Sequence, residues 1–306
     1  MPEAQIDGQQ HRAVSPMSPF DLNNPLAYSR WREEKLAAAP RCAEELIVEV
    51  RDPRALSSTE HEALMQRIRR CNMAIYASPA LEQDSTIPRE LARQFGLEHL
   101  DANWLAEEEG ISEIQVSGGG TRQSYIPYTD RPIKWHTDGY YNPPERAIRA
   151  MVLHCVRSAA EGGENRLMDH ELAYLLLRDA DPQHIRALMQ AGAMTIPERV
   201  DERDGVRPAQ SGPVFSVDAT TDSLHMRYTA RTRSIEWKQD AATLAAVGAL
   251  EKLLGSASPY IYRTRLEPGM GLLCNNVLHD RAGFSDDAEH PRLLYRARYY
   301  DRIAGS

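Results

Sequence analysis

A histidine and an aspartate one residue apart, His136 and Asp138 in Trp135-His-Thr-Asp-Gly139, bring an imidazole nitrogen and a carboxylate close together. Ile133 and Trp135 alternate with Lys134 and His136, the period of a half-buried strand, so His136 and Asp138 project from one face. A strand rise of ~3.3 Å per residue sets their backbones roughly 6 to 7 Å apart, a spacing that suits two ligands of one metal. With 10 histidines in the chain, one His-x-Asp is close to a chance event, and a metal site needs a third donor from elsewhere. His279 is that donor, where the apolar run Gly271-Leu-Leu-Cys-Asn-Asn-Val-Leu-His279 ends. Two histidines and one carboxylate covering one face of a metal are the donor set of non-haem Fe(II) oxygenases.

Arginines follow. In Pro291-Arg-Leu-Leu-Tyr-Arg-Ala-Arg298, Arg292, Leu294 and Arg296 alternate with Leu293 and Tyr295, so Arg292 and Arg296 share a strand face and Arg298 joins them by parity. An inward guanidinium must meet an anion, because burying it unpaired is prohibitive. A second basic stretch, Leu224-His-Met-Arg-Tyr-Thr-Ala-Arg-Thr-Arg-Ser-Ile-Glu-Trp237, carries His225, Arg227, Arg231 and Arg233. Any of these facing the pocket favours a carboxylate, sulfonate or phosphonate substrate. Tyr140 and Tyr141, directly after the His-x-Asp, offer an aromatic wall, and with Tyr128 they would make a cation–π cage for a quaternary amine.

The elements that must carry these residues read as many short strands with a few helices between them. Strands are expected over 46–50, 72–76, 113–117, 147–156, 194–196, 214–217, 224–228, 260–266, 271–278 and 293–300. Helices are expected behind a capping box at Thr59-Glu-His-Glu62, over 90–95 before Gly96, after the N-caps Asp169 and Asp181, and over 240–254. Gly118-Gly-Gly120 breaks a strand and starts a loop, and Gly162-Gly163 makes a turn. Residues 1–40 form an N-terminal arm, partly irregular with a short helix over 28–35, and residues 41–306 form one domain. The fold class is mainly β with α, a sandwich or jelly roll under helical cover.

Composition is that of a globular protein, 42% hydrophobic and 26% charged. A net charge of −8 argues against nucleic acid as a partner, and Arg67, Arg69 and Arg70 sit on an expected helix without any basic excess. No apolar run approaches the ~20 residues of a membrane span, and the N-terminus lacks the basic-then-apolar order of a signal peptide. A cytoplasmic protein with no membrane partner is expected. The four cysteines make no C-x-x-C pair and read as reduced, mostly buried thiols.

Four motifs occur in a familiar order: Gly162-Gly-Glu-Asn165 between His136-Thr-Asp138 and Asn275-Asn-Val-Leu-His279, then Arg292 with Arg296. In this the chain resembles the Fe(II)- and 2-oxoglutarate-dependent dioxygenases of the taurine dioxygenase and 2,4-dichlorophenoxyacetate dioxygenase family, over roughly residues 40–302. The resemblance implies a double-stranded β-helix core, cupin-like, with helical insertions. It implies Fe(II) on His136, Asp138 and His279, and 2-oxoglutarate with its far carboxylate on Arg292. Arg296 would lie near the substrate or the other end of the co-substrate, and Asn165 stands where the family has a threonine that contacts 2-oxoglutarate. The implied reaction uses O2 to hydroxylate an unactivated C–H bond of a small anionic metabolite, releasing succinate and CO2. Desaturation, cyclisation or C–S, C–N or C–O cleavage are alternatives, as is a jelly-roll metal-binding module without turnover. Asp138 leaves no ligand position for chloride, so halogenation is not expected. Arg296, Tyr140, Tyr141, Arg227 and Arg231 are the candidate substrate residues, and the resemblance allows a homodimer or higher homo-oligomer.

Overall fold

The computed structural model describes residues 18–101, 110–116, 125–201, 205–286 and 291–306. Its larger sheet has six strands in the order Ile47–Glu49, Met73–Ala77, Met270–Cys274, Ala150–Arg157, Leu293–Tyr299, Ser112–Ile114. The first two run parallel and the remaining pairs antiparallel. A smaller antiparallel sheet runs Tyr262–Thr264, Asn165–Met168, Leu278–Arg281, Ile133–His136.

Strand alternation decides which residues meet between the sheets. Met73, Ile75, Met151, Cys155, Leu272 and Leu294 of the larger sheet join Leu167 and Tyr262 of the smaller in one buried cluster. Their sequence neighbours Ala74, Tyr76, Val152, Tyr295 and Ala297 face the other way, onto Leu64, Met65 and Ile68 of helix Ser58–Cys71 and Leu91 of helix Ile87–Arg93. Behind the smaller sheet, Trp135, Met168 and Leu278 pack with helices His170–Ala180, Pro182–Leu188 and Ala241–Leu254. Each large aliphatic side chain buried this way contributes about 1.5–3 kcal/mol. The architecture is the expected jelly roll with helical cover.

Residues 18–40 are tied into this body. Helix Pro25–Ala38 starts with Asn24 as N-cap, and Phe20 meets Trp31 and Tyr174 edge-on. Lys35 is buried between Asp169 (2.6 Å) and Glu171 (2.5 Å). Asp169 also accepts from Asn72 Nδ2 (2.9 Å), and Asn275 Nδ2 donates to Asn72 Oδ1 (3.1 Å). This polar chain leads from the first helix to the turn before His279.

Two sequence expectations are corrected. The capping box is Ser57 with Glu60, not Thr59 with Glu62: the Ser57 hydroxyl accepts from the Glu60 N–H while the Glu60 carboxylate takes the Ser57 N–H. The run 271–278 is not one strand. It breaks at Asn276, whose φ of 50° is left-handed, and passes from the larger sheet to the smaller. Asparagine tolerates that backbone because its short amide hydrogen-bonds locally. The Arg199–Asp201/Gly205–Arg207 hairpin and the strand Gln210–Gly212 carry no clear periodicity and went unread. Gly118–Gly120 and residues 1–17 of the arm lie outside the described residues. Cys71, Cys155 and Cys274 are buried thiols, while Cys42 is exposed. Among the described residues no helix is long and apolar enough to cross a membrane.

Candidate metal centre

His136 and His279 are direct partners across the adjoining strands Ile133–His136 and Leu278–Arg281, with ring centroids 4.1 Å apart. In each, Nδ1 lies 2.9 Å from the carbonyl oxygen two residues earlier, on Lys134 and Val277 respectively. A carbonyl only accepts, so Nδ1 carries the proton and Nε2 keeps a free lone pair. His136 Nε2 stands 3.6 Å from Asp138 Oδ1. Donor atoms of His136, Asp138 and His279 all lie within 4.8 Å of one another, the only such group among the described residues.

The protonation states suit a cation. Burial, reinforced by His136, pushes His279 down to about 4, so it is neutral at physiological pH. Burial opposes the charge of Asp138, yet Arg296 beside it, with His136 and Arg298, holds the carboxyl well below its ordinary range. Arg296 Nη1 sits 3.3 Å from Asp138 Oδ2, an oxygen that is buried and receives no hydrogen bond. Two imidazoles with Nδ1 held by backbone carbonyls and an ionised, under-bonded carboxylate fit Fe(II).

Backbone contacts set the carboxylate in place. Gly139 turns with φ of 67°, and a Cβ there would come within 2.3 Å of Ile148 Cγ1. Asn276 grips the Asp138 peptide from across the site: its Oδ1 accepts the Asp138 N–H (2.7 Å), and its Nδ2 donates to the carbonyls of Asp138 (2.9 Å) and Ile148 (2.6 Å). On the far face of the sheet Trp135 Nε1 donates to Leu254 O (3.1 Å), and Arg166, paired with Asp280, lies 4.9 Å over the Trp135 ring.

Arg292 directly precedes the larger-sheet strand Leu293–Tyr299. It is buried, its guanidinium stands 5.1 Å over Phe284, and among the described residues no carboxylate pairs with it. Arg281 stacks on the same ring at 4.7 Å and donates to the carbonyls of Thr129 (2.7 Å) and Arg131 (2.6 Å). Burial, then the nearby Arg292 charge, push Arg281 down to about 9. Asp286 is the carboxylate near both guanidinium groups, its Oδ1 accepting the Arg292 backbone N–H (3.0 Å), and an enclosed guanidinium outside an ion pair favours an anionic ligand.

The model of the taurine catabolism dioxygenase TauD, TfdA family matches residues 20–298. The chain belongs to that family. A uridine-5'-phosphate dioxygenase from Amycolatopsis sp is 32% identical over 170 residues, 54% of this chain and 60% of the relative. A Streptomyces sp enzyme of the same name is 28% identical over 204 residues, 62% and 69% of the two chains. The chain thus spans about three fifths of the first relative's length. In fold it is similar to the non-heme iron oxygenase OrfP in complex with Fe and alpha-ketoglutaric acid, with a TM-score of 0.58 at 17% identity over 90% of this chain and 92% of that one.

In this dioxygenase frame the other sequence candidates separate. Asn165 is buried opposite Arg281, and its amide donates to Asp280 O (2.8 Å), which leaves Oδ1 and one hydrogen for a ligand. Tyr140 and Tyr141 meet edge-on at 5.2 Å beside the turn after Asp138, and Tyr140 is bonded to Thr229 and Arg231. Arg298 reaches Tyr141 Oη (3.0 Å) and Asp101 (2.5 Å). Arg227 is turned away, because its guanidinium donates to the carbonyls of Gln210, Met194 and Gly212 in a neighbouring sheet. Tyr128 packs in the cluster between the sheets, while Tyr140 and Tyr141 pack against the cluster behind the smaller one, so a three-tyrosine cage does not form. Burial pushes His225 down to about 3, with Arg149 next, and Arg233 is exposed. Asn276 and Arg207 escaped the sequence reading. Only Asn276 had a signal, an Asn-Asn pair interrupting an apolar run.

Proposed function

We propose that this chain hydroxylates an unactivated C–H bond of a small phosphate-bearing metabolite, nucleoside 5'-monophosphates such as uridine-5'-phosphate being the first candidates, with O2 and 2-oxoglutarate consumed and succinate and CO2 released. The observation that carries the reading is the donor group of His136, Asp138 and His279 on and beside the smaller sheet, with the buried Arg292 at the start of a strand of the larger one. The substrate class rests on the matched relatives, which carry that activity in their names, and on the excess of arginine around Tyr140 and Tyr141. A cytoplasmic location belongs to the same reading.

Iron on His136, Asp138 and His279 supplies the oxidising chemistry. The protein's own part is placement and charge. Arg292 takes the far carboxylate of 2-oxoglutarate in a forked, charge-assisted pair, and Arg281 adds field without spending its own hydrogen bonds, which are held by backbone carbonyls. Asn165 offers the remaining amide hydrogen to the same ligand. Arg296 keeps Asp138 ionised and stands ready to pair with an acidic group once the carboxylate is shared with a metal. The Nδ1 hydrogen bonds of both histidines fix the rings, so neither needs to reorient on loading.

Anaerobic addition of Fe(II) and 2-oxoglutarate should produce a weak visible charge-transfer band. Succinate formation above the uncoupled background should then rise with uridine-5'-phosphate or a related monophosphate, and not with taurine or a betaine. Turnover stimulated only by cations or by sulfonates would sink the substrate class.

A further inference from the structure

Arg207 closes the hairpin Arg199–Asp201/Gly205–Arg207, and its guanidinium carbon lies 4.9 Å over the ring of Tyr141. Its Nε is enclosed by protein without a hydrogen-bond partner, and among the described residues no carboxylate pairs with it. The ring beneath it is fixed from behind, since Arg298 donates to Tyr141 Oη and is itself held by Asp101. Tyr140 stands across Tyr141 edge-on, and the charge of Arg231, from the turn after Leu224–Met226, acts on its hydroxyl. Two arginines from separate loops therefore bracket an aromatic corner that begins two residues after the iron ligand Asp138.

The charges around this corner do not cancel. Asp101 answers Arg298, and Asp138 answers Arg296. Arg207 and Arg231 have no acidic counterpart among the described residues. A single carboxylate or sulfonate would neutralise one of them. A phosphate monoester carries about −1.5 to −2 at pH 7 and three acceptor oxygens, enough for both forks.

We propose that Arg207 and Arg231, set over Tyr141 and Tyr140, form the receptor for the phosphate monoester of the substrate. The proposal rests on the phosphate-bearing reading of the substrate given above and names the residues that would enforce it. Tyr141 holds the Arg207 guanidinium over its ring, so that group is pre-arranged, while the exposed Arg231 would close on the phosphate from the Tyr140 side.

The test is calorimetric titration of the full chain, loaded anaerobically with Fe(II) and 2-oxoglutarate, with uridine-5'-phosphate, uridine and inorganic phosphate. Uridine-5'-phosphate should bind well, inorganic phosphate weakly and uridine least. Arg207→Ala and Arg231→Ala should each weaken uridine-5'-phosphate by about 10- to 100-fold, as expected for a lost charge-assisted hydrogen bond, and leave uridine unchanged. Arg207→Lys keeps the charge without the fork and should fall between wild type and Arg207→Ala. Equal losses for uridine and uridine-5'-phosphate would overturn the proposal, as would wild-type protein that binds neither phosphate-bearing probe. In every variant the 2-oxoglutarate charge-transfer band reports the metal site separately. If the band persists while phosphate binding is absent, the receptor fails and the dioxygenase reading stands; if the band is missing from wild type, the dioxygenase reading fails first.

Discussion

Replacing Asn276 tests how the Asp138 carboxylate of the candidate metal centre is held. The side chain makes three hydrogen bonds, one from the Asp138 N–H and two to the carbonyls of Asp138 and Ile148, all buried. At about 1 kcal/mol each, with one or more backbone groups left dry and unpaired, Asn276→Ala should cost about 3–5 kcal/mol. The left-handed backbone, φ of 50°, adds about 1 kcal/mol of strain for alanine that glycine does not feel. Asn276→Gly should therefore recover about that much and no more. Urea unfolding of the metal-free protein measures the stability loss, and anaerobic Fe(II) titration measures the effect on the site, where a 10- to 100-fold drop in affinity is expected for a lost supporting contact. If Asn276→Gly were as stable as wild type, the hydrogen bonds would carry no net weight. If iron affinity stayed unchanged while stability fell, Asn276 would be glue between two loops and not a holder of Asp138.

Arg292→Ala should weaken 2-oxoglutarate by about 100-fold, the worth of a forked ion pair, while Fe(II) affinity changes little; equal losses of both, read by titrating each in turn, would make Arg292 structural. Lys35→Met should destabilise by about 3–5 kcal/mol because Asp169 and Glu171 would be left buried without a cation. Denaturant midpoints compared with those of the Lys35→Met/Asp169→Asn/Glu171→Gln triple variant, expected to regain part of the loss, check the cause. His154, fully buried with Nδ1 bonded to Tyr76 Oη (2.9 Å), is pushed down to about 4 chiefly by burial. Its folded pKa is below its unfolded one, so the stability it allows is whole above pH 6.5 and drains away as pH falls toward 4, on the order of 3 kcal/mol. Stability measured against pH should fall less steeply over that window in His154→Gln.

The sequence carried the candidate metal donors because strand parity is a local rule. His136, Arg296 and Arg298 face as alternation says they must, and His279 sits one strand over. The same rule misread 271–278, since nothing in alternation tells where a chain changes sheet; only the left-handed Asn276 does that. The fate of Arg227 was also out of reach. Its strand and face were legible, but the carbonyls of Gln210, Met194 and Gly212 that absorb it belong to strands with no periodicity of their own. Arg207 was hidden for that reason too, because a short hairpin gains its meaning from Tyr141, far away in sequence. The capping box slipped by two residues because 57–60 and 59–62 both read hydroxyl-x-x-Glu, and only the backbone bonds choose between them.

The two histidines stand on the smaller sheet and Asp138 on the turn that leaves it, whereas Arg296 lies in the strand Leu293–Tyr299 of the larger sheet and Arg292 directly before it. The gap between metal and anion anchors is therefore the thickness of the sandwich, about 10 Å between backbones, maintained by Leu167, Met151, Cys155 and Leu294 in the layer between. Under the proposed function, trimming or swelling that layer would shift the larger-sheet arginines relative to the metal donors, and so is a way to change which 2-oxo acid the protein takes.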